Sequence, residues 1–167
     1  MLETPALIAA TSALVPLMII ASWFDLKYLR IPNWLVLCVL TVFIVTGLWG
    51  LPLETFLWRL LYGFVFLAFG FAVFTLSNGK VGGGDLKLIA VLVPFIVPVH
   101  VPDVLLLLSL LALLGLMVHR LIYTLKRDRL TGWEALDQKT YFPVGLLIGT
   151  TTCIYLSDLL FTRLWVA

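Results

Sequence analysis

A chain of 167 residues that is 62% hydrophobic and 12% charged, with a mean hydropathy of +1.13, has a composition suited to lipid rather than water. Its net charge of +2 is too small for a nucleic-acid surface, and its basic residues sit at the ends of apolar runs instead of lining a groove. Nucleic acid is therefore excluded as a partner and the lipid bilayer is expected as one. The expectation is a single domain over residues 1–167, all-α and polytopic.

The first apolar run, Pro5 to Phe24, follows acidic Glu3 and has no basic leading region, which predicts a retained helix and not a cleaved signal peptide. It closes on Asp25, followed by Lys27, Arg30 and the tripeptide Ile31-Pro32-Asn33. Trp34 to Gly50 and Thr55 to Leu76 are the next runs, each long enough to cover roughly 30 Å of hydrocarbon with modest tilt. Ser77 to Gly84 then reads Ser-Asn-Gly-Lys-Val-Gly-Gly-Gly and leads into Asp85, Leu86 and Lys87. Three consecutive glycines cost entropy on ordering, so Gly82, Gly83 and Gly84 predict a mobile loop that another chain can approach closely. The fourth run, Leu86 to Val99, is broken by Pro94 and Pro98 and by length alone suits a re-entrant segment as well as a crossing. Val104 to Leu125 and Phe142 to Trp165 complete the six candidate spans.

Charge decides the fourth segment. Lys27, Arg30, Lys80, Lys87, Arg120, Lys126, Arg127, Arg129 and Lys139, nine of the 11 basic residues, fall in or beside the first, third and fifth connections, and the second and fourth connections have none. Only if the fourth segment crosses do all nine share one side, which makes that side cytoplasmic and puts both termini outside. Asp25 and Asp85 then share the cytoplasmic face. A carboxylate at a membrane edge is costly to keep, so two at one interface suggest a pair with a function. Taken singly, Asp85 also suits a helix N-cap, and Asp25 the plain end of a helix with Lys27 and Arg30 as headgroup anchors. Neither plain reading accounts for the pair.

Two facing carboxyls cannot both ionise easily and end up sharing a proton, the arrangement of an aspartyl protease. The ionised partner takes a proton from water as water attacks the scissile carbonyl, and the protonated partner donates to the carbonyl oxygen. Neither metal nor cofactor is called for. His100 and His119 fall near opposite ends of the fifth run and cannot share a metal ion. No Gly-x-Ser-x-Gly sequence occurs, and Cys38 and Cys153, inside apolar runs, read as packing residues. Arg59 and Asp158 are the remaining charges within apolar runs and are expected to form a structural ion pair toward the external side. Trp34, Trp49, Trp58 and Trp165 fall at span ends as an interfacial belt, and Tyr28 is a candidate to line the site.

These residues resemble the type IV prepilin peptidases, membrane aspartyl proteases of the Gly-x-Gly-Asp type. In that family the first aspartate precedes an Ile-Pro-Asn tripeptide, as Asp25 precedes Ile31-Pro32-Asn33, and the second ends a glycine motif, here Gly82-Gly83-Gly84-Asp85-Leu86-Lys87-Leu88. Pro143-Val144-Gly145, opening the last span, is similar to the proline and glycine that the family commonly has before its final helix. The resemblance covers essentially the whole chain and is to the short form associated with tight-adherence pili, without the N-terminal cytoplasmic portion and cysteine cluster of larger members. It implies Asp25 and Asp85 as catalytic residues. Gly82, Gly83, Gly84, Lys27, Lys87 and Asn33 are expected to bind substrate or position the loop. The implied substrate is a prepilin or pseudopilin whose short basic leader is removed at the cytoplasmic face of the bacterial inner membrane. A small ion-coupled transporter or channel subunit, with Asp25 and Asp85 binding a cation, is the alternative; it calls for a midplane site, whereas these acids lie at one interface.

Overall fold

A computed structural model of the chain describes residues 2–78, 82–126, 130–138 and 141–165. Helix α1 (Thr4–Tyr28) begins with Pro5 in its first turn, where the missing N–H costs nothing. It runs past the apolar stretch, so that Asp25 lies in its last turn instead of closing it. The stop comes from Leu29, which takes the left-handed conformation at φ 48° and donates its N–H to the Asp25 carbonyl at 2.9 Å. Ile31 cannot resume a helix because it precedes Pro32.

Helix α2 (Asn33–Gly50) starts immediately after that proline and returns along α1, with the Glu3 N–H donating to the Gly50 carbonyl at 3.1 Å. Helix α3 (Leu53–Leu76) follows, then α4 (Gly83–Leu92), α5 (Val101–Leu125), the single turn α6 (Glu134–Asp137) and α7 (Val144–Trp165). No strand occurs among the described residues. Five helices, α1, α2, α3, α5 with the turn before it, and α7, are long and apolar enough to cross a membrane. The chain is thus an all-helical, multi-pass membrane protein. The broad apolar faces that α3 and α5 leave exposed, such as Phe69, Phe71, Leu106 and Leu113, suit contact with lipid.

The core is built around α1, which packs on α7 and α2 and buries Leu7, Leu14 and Met18 completely. Phe43 of α2 stacks on Phe56 of α3 with ring centroids 5.5 Å apart and meets Phe95 edge-on at 5.2 Å. Along α3, α4 runs antiparallel in close contact: Gly83 lies by Phe74, Leu86 by Gly70, and both Ala90 and Pro94 by Gly63. A Cβ on Gly63 would stand 2.9 Å from the Ala90 carbonyl oxygen, so glycine is what admits the fourth segment to this depth.

Beyond Leu92 the fourth segment breaks as its prolines predict, into 3-10 turns at Val93–Phe95 and Pro98–His100. Pro98 has no N–H to give the Pro94 carbonyl four residues back. Arg59, only 4% exposed, donates to that carbonyl from Nη1 at 3.2 Å. The freed Val97 N–H donates to the Tyr155 hydroxyl at 3.0 Å, and His100 Nδ1 lies 3.3 Å from the same oxygen. The expected Arg59–Asp158 pair does not form. Asp158 sits on an exposed face of α7, and Arg59 is instead used to satisfy a backbone acceptor that the prolines left open.

Candidate active site

Three breaks in the helical path meet at one end of the bundle. Asp25 lies in the last turn of α1, and the α7 N-terminus comes to it: the Leu146 N–H donates to Asp25 Oδ2 at 3.2 Å. Gly145 makes that approach feasible, because a Cβ there would stand 2.9 Å from Asp25 Oδ2 and equally close to Ile31 Cδ1. Ile31 in turn fills the space between the starts of α7 and α4, with its Cβ 3.3 Å from where a Gly84 Cβ would be. Lys87 Nζ donates to Asn33 Oδ1 at 3.2 Å and ties α4 to the start of α2. Together these contacts bring the α4 N-terminus, and Asp85 at its third residue, to the Asp25 end of α1.

Asp25 is 4% exposed and Asp85 half-buried. Asp85 precedes the apolar run of its segment, and its carboxyl is pushed up to about 7, first by burial and then by the charge of Asp25. The two carboxyls therefore sense one another. Asp85 is not an N-cap: that position belongs to Gly82, and no side chain caps α4.

A cavity of about 590 Å³ opens at this end of α1 and the turn after it, lined by Phe24, Tyr28, Arg30, Ile31, Pro32, Asn33 and Glu134 but by neither aspartate. Its outer wall is α6, placed by three separate ties. Trp133 meets Trp23 of α1 edge-on at 4.9 Å. His119, buried on α5, lies with Nε2 2.7 Å from the Ala135 carbonyl, an acceptor, so Nε2 carries the proton. Asp137 accepts hydrogen bonds from Lys126 Nζ at 2.7 Å and from the Thr131 and Gly132 N–H groups at 3.0 and 3.1 Å, which hold its carboxyl well below the usual range. The site thus has two interacting carboxyls, one deeply buried, with an open cleft nearby.

Residues 12–118 match the model of the type IV leader peptidase family. The chain belongs to that family. The matched region contains both aspartates, the Ile31-Pro32-Asn33 turn and the Gly82–Gly84 run; α6 and α7 lie beyond it. No curated protein and no solved structure matches the chain. Membership makes it a membrane peptidase, a hydrolase, and implies a prepilin-like substrate.

Within this leader peptidase the sequence candidates fall into three groups. Asp25, Asp85, Gly84, Asn33 and Lys87 come together at one end of the bundle, and Tyr28 lines the cleft as expected. Lys27 turns away, its ammonium 5.6 Å from the Trp23 ring centroid and 5.2 Å from that of Tyr28. Gly83 and Gly84 are not loop residues: they form the first turn of α4, with Gly82 as its cap, because their lack of side chains lets the turn press against Phe74 and Ile31. Of the nine basic residues on which the expected orientation rests, Lys80, Arg127, Arg129 and Lys139 lie outside the described residues; Lys27, Arg30, Lys87, Arg120 and Lys126 lie at or near the aspartate end. Sequence reasoning missed Phe24 and the Leu146 N–H, and reached Glu134 only as part of the Lys126 to Tyr141 stretch expected to contact substrate. Of the two missed, only the N–H had a signal, the Pro143-Val144-Gly145 start of the final span.

Proposed function

We propose that this protein is an aspartyl endopeptidase that removes the short basic leader of a type IV prepilin or pseudopilin at the cytoplasmic face of the bacterial inner membrane. The observation that carries this reading is the meeting of Asp25 and Asp85 at one end of the bundle with an open cleft nearby. In the proposed reaction one carboxylate takes a proton from water as the water oxygen bonds to the scissile carbonyl carbon, and the partner acid protonates the carbonyl oxygen. Collapse of the resulting diol breaks the C–N bond and protonates the leaving nitrogen. Phe24, Tyr28 and Pro32 offer an apolar and aromatic wall to the segment being cut, while the substrate's own helix lies in the bilayer beside the exposed faces of the enzyme.

The cytoplasmic placement goes with a reading in which the fourth segment also crosses. The fourth segment follows α3 antiparallel from Phe74 to Arg59, roughly 22 Å at 1.5 Å per residue, and the basic residues at the aspartate end satisfy the positive-inside rule only with that crossing. Purified protein incubated with candidate prepilins, with the product masses measured, tests the reading. Cleavage at the leader junction is expected, and its absence with every prepilin tried, in protein shown to be folded, overturns it. A reporter between Lys126 and Tyr141 should read cytoplasmic and one at the C-terminus external; the reverse at either point removes the shared face.

A further inference from the structure

The two carboxyls are not in equivalent surroundings. Asp25 Oδ2 accepts the N–H of Leu146, the third residue of α7. That N–H is one of the donors a helix cannot satisfy internally, and it lies at the positive end of a 22-residue helix. A hydrogen bond from such a donor favours carboxylate over carboxylic acid. The contact is built in: α7 presses on the end of α1 and Gly145 leaves room for the carboxylate; burial by itself disfavours charge on Asp25, 4% exposed, but it also keeps water from replacing the N–H that opposes that penalty. Asp85 accepts no hydrogen bond from the described residues.

We infer that the N-terminus of α7 orders the pair, holding Asp25 as the carboxylate and leaving Asp85 as the carboxylic acid, with Gly145 and the Leu146 N–H as the positioning groups. The inference rests on the peptidase reading of the two aspartates and adds which one is base and which acid. Asp25 takes the proton from the attacking water while the Asp85 proton passes to the scissile carbonyl oxygen, giving a neutral diol, a protonated Asp25 and an ionised Asp85. On collapse the C–N bond breaks, Asp25 gives its proton to the leaving nitrogen, and a diol hydroxyl returns a proton to Asp85. Both residues regain their starting state.

Among the described residues, the charges whose contacts are defined do not reverse this order. Helix α2 carries no charged residue, and the first on α7 is Asp158, more than a dozen residues from Gly145. On α6, Asp137 is held by Lys126, and Glu134 lines the cleft with Arg30 from the turn after α1. Lys27 lies by two aromatic rings and Lys87 bonds Asn33. On α3, Arg59 is at the opposite end of the bundle, on the Pro94 carbonyl. Asp85 does lie in the first turn of α4, whose dipole favours its charge. Against that dipole stand burial and then the charge of Asp25, both of which raise the carboxyl.

Difference infrared spectroscopy of the full-length protein in lipid nanodiscs, reading the C=O stretch of protonated carboxyls below pH 7, tests the order without any substrate. The buried-carboxyl band should vanish in Asp85→Asn and persist in Asp25→Asn, where it should titrate at lower pH because the Asp25 charge is gone. A band that persists in Asp85→Asn and vanishes in Asp25→Asn overturns the inference. In parallel, Leu146→Pro removes the N–H, together with the half-buried leucine side chain, from the first turn of a helix, where proline is tolerated. Its low-pH limb of kcat should move up by about one unit, kcat should fall about tenfold and KM should stay within about twofold. Gly145→Ala should shift the limb the same way by displacing the carboxylate, and serves if the proline variant does not fold. An unmoved limb in a folded variant overturns the positioning role. Failure of the wild type to cleave any prepilin counts against the peptidase reading alone, because the infrared bands decide the order independently.

Discussion

The two ends of the bundle bury polar groups in opposite ways. At the Arg59 end, the broken fourth segment exposes a carbonyl at Pro94 and an N–H at Val97, and a guanidinium and a phenol are supplied to meet them. Each group there has a neutral or oppositely suited partner, and the result is a closed network that holds the break in place. At the Asp25 end, two carboxyls are brought together with one backbone N–H given to Asp25 and a cleft nearby. That arrangement raises the free energy of ionising both and so stores a proton at working pH. Completed hydrogen bonding marks a structural site, and deliberate incompleteness marks a reactive one.

The largest expected effect separates the ends by activity. Asp25→Asn and Asp85→Asn should each reduce cleavage by about 10²–10⁴-fold or more while the protein still inserts and unfolds near the wild-type temperature. Near-normal turnover by either variant would remove the dyad. Wild-type kcat should also decline as pH rises through about 7, where Asp85 loses its proton, and a flat profile to pH 9 would exclude Asp85 as the acid. The raised Asp85 value has a stability counterpart of definite sign. The folded state binds this proton more tightly than the unfolded chain, so its contribution is complete below about 4 and is lost as pH rises through about 7. Thermal scans in detergent should show that loss between those values, and Asp85→Asn should abolish it.

Next in size is a stability effect at the other end. Arg59→Leu strands the Pro94 carbonyl and should cost about 1–3 kcal/mol, read as a lower unfolding temperature in detergent, with activity falling only as far as folded protein is lost. Asp158→Leu should change little, and the double variant should match Arg59→Leu. Recovery of stability in the double variant would restore an Arg59–Asp158 pair that the geometry excludes. Tyr155→Phe removes the acceptor for the Val97 N–H and should cost a similar amount or somewhat less.

What the sequence could and could not reveal follows from the same contrast. Apolar run length placed the long helices, and Pro94 and Pro98 located the break in the fourth segment, because both are local properties. Asp25 and Asp85 were legible through their positions at the edges of apolar runs. Arg59 was misassigned because depth along a helix is readable from sequence whereas rotation about it is not: Arg59 and Asp158 share a level and face different ways. The signal for its real partner was the i, i+4 spacing of the two prolines, which orphans one carbonyl. The first turn of α4 read as loop because glycines lower helix propensity, and tertiary packing against Phe74 and Ile31 overrides that preference. The helical turn of α6 was illegible, since a single turn has no periodicity to detect.

The smallest expected effect lies at the edge of the reactive end, in the tie between Asp137 and Lys126 that holds α6 over the cleft. Asp137 is near the surface, so solvent screens the ion pair and its loss should alter global stability little. Its carboxyl is held below the ordinary value, so the tie is intact at neutral pH and is lost only as pH falls below about 4. Asp137→Asn reproduces that loss at pH 7. Because α6 contributes Glu134 to the cleft but no atom to the aspartate pair, KM for a prepilin should rise a fewfold with kcat retained, and hydrogen exchange at residues 133–137 should quicken while that of α1 does not. A fall in kcat at unchanged KM would instead place α6 in the chemistry and erase the distinction between the cleft wall and the dyad.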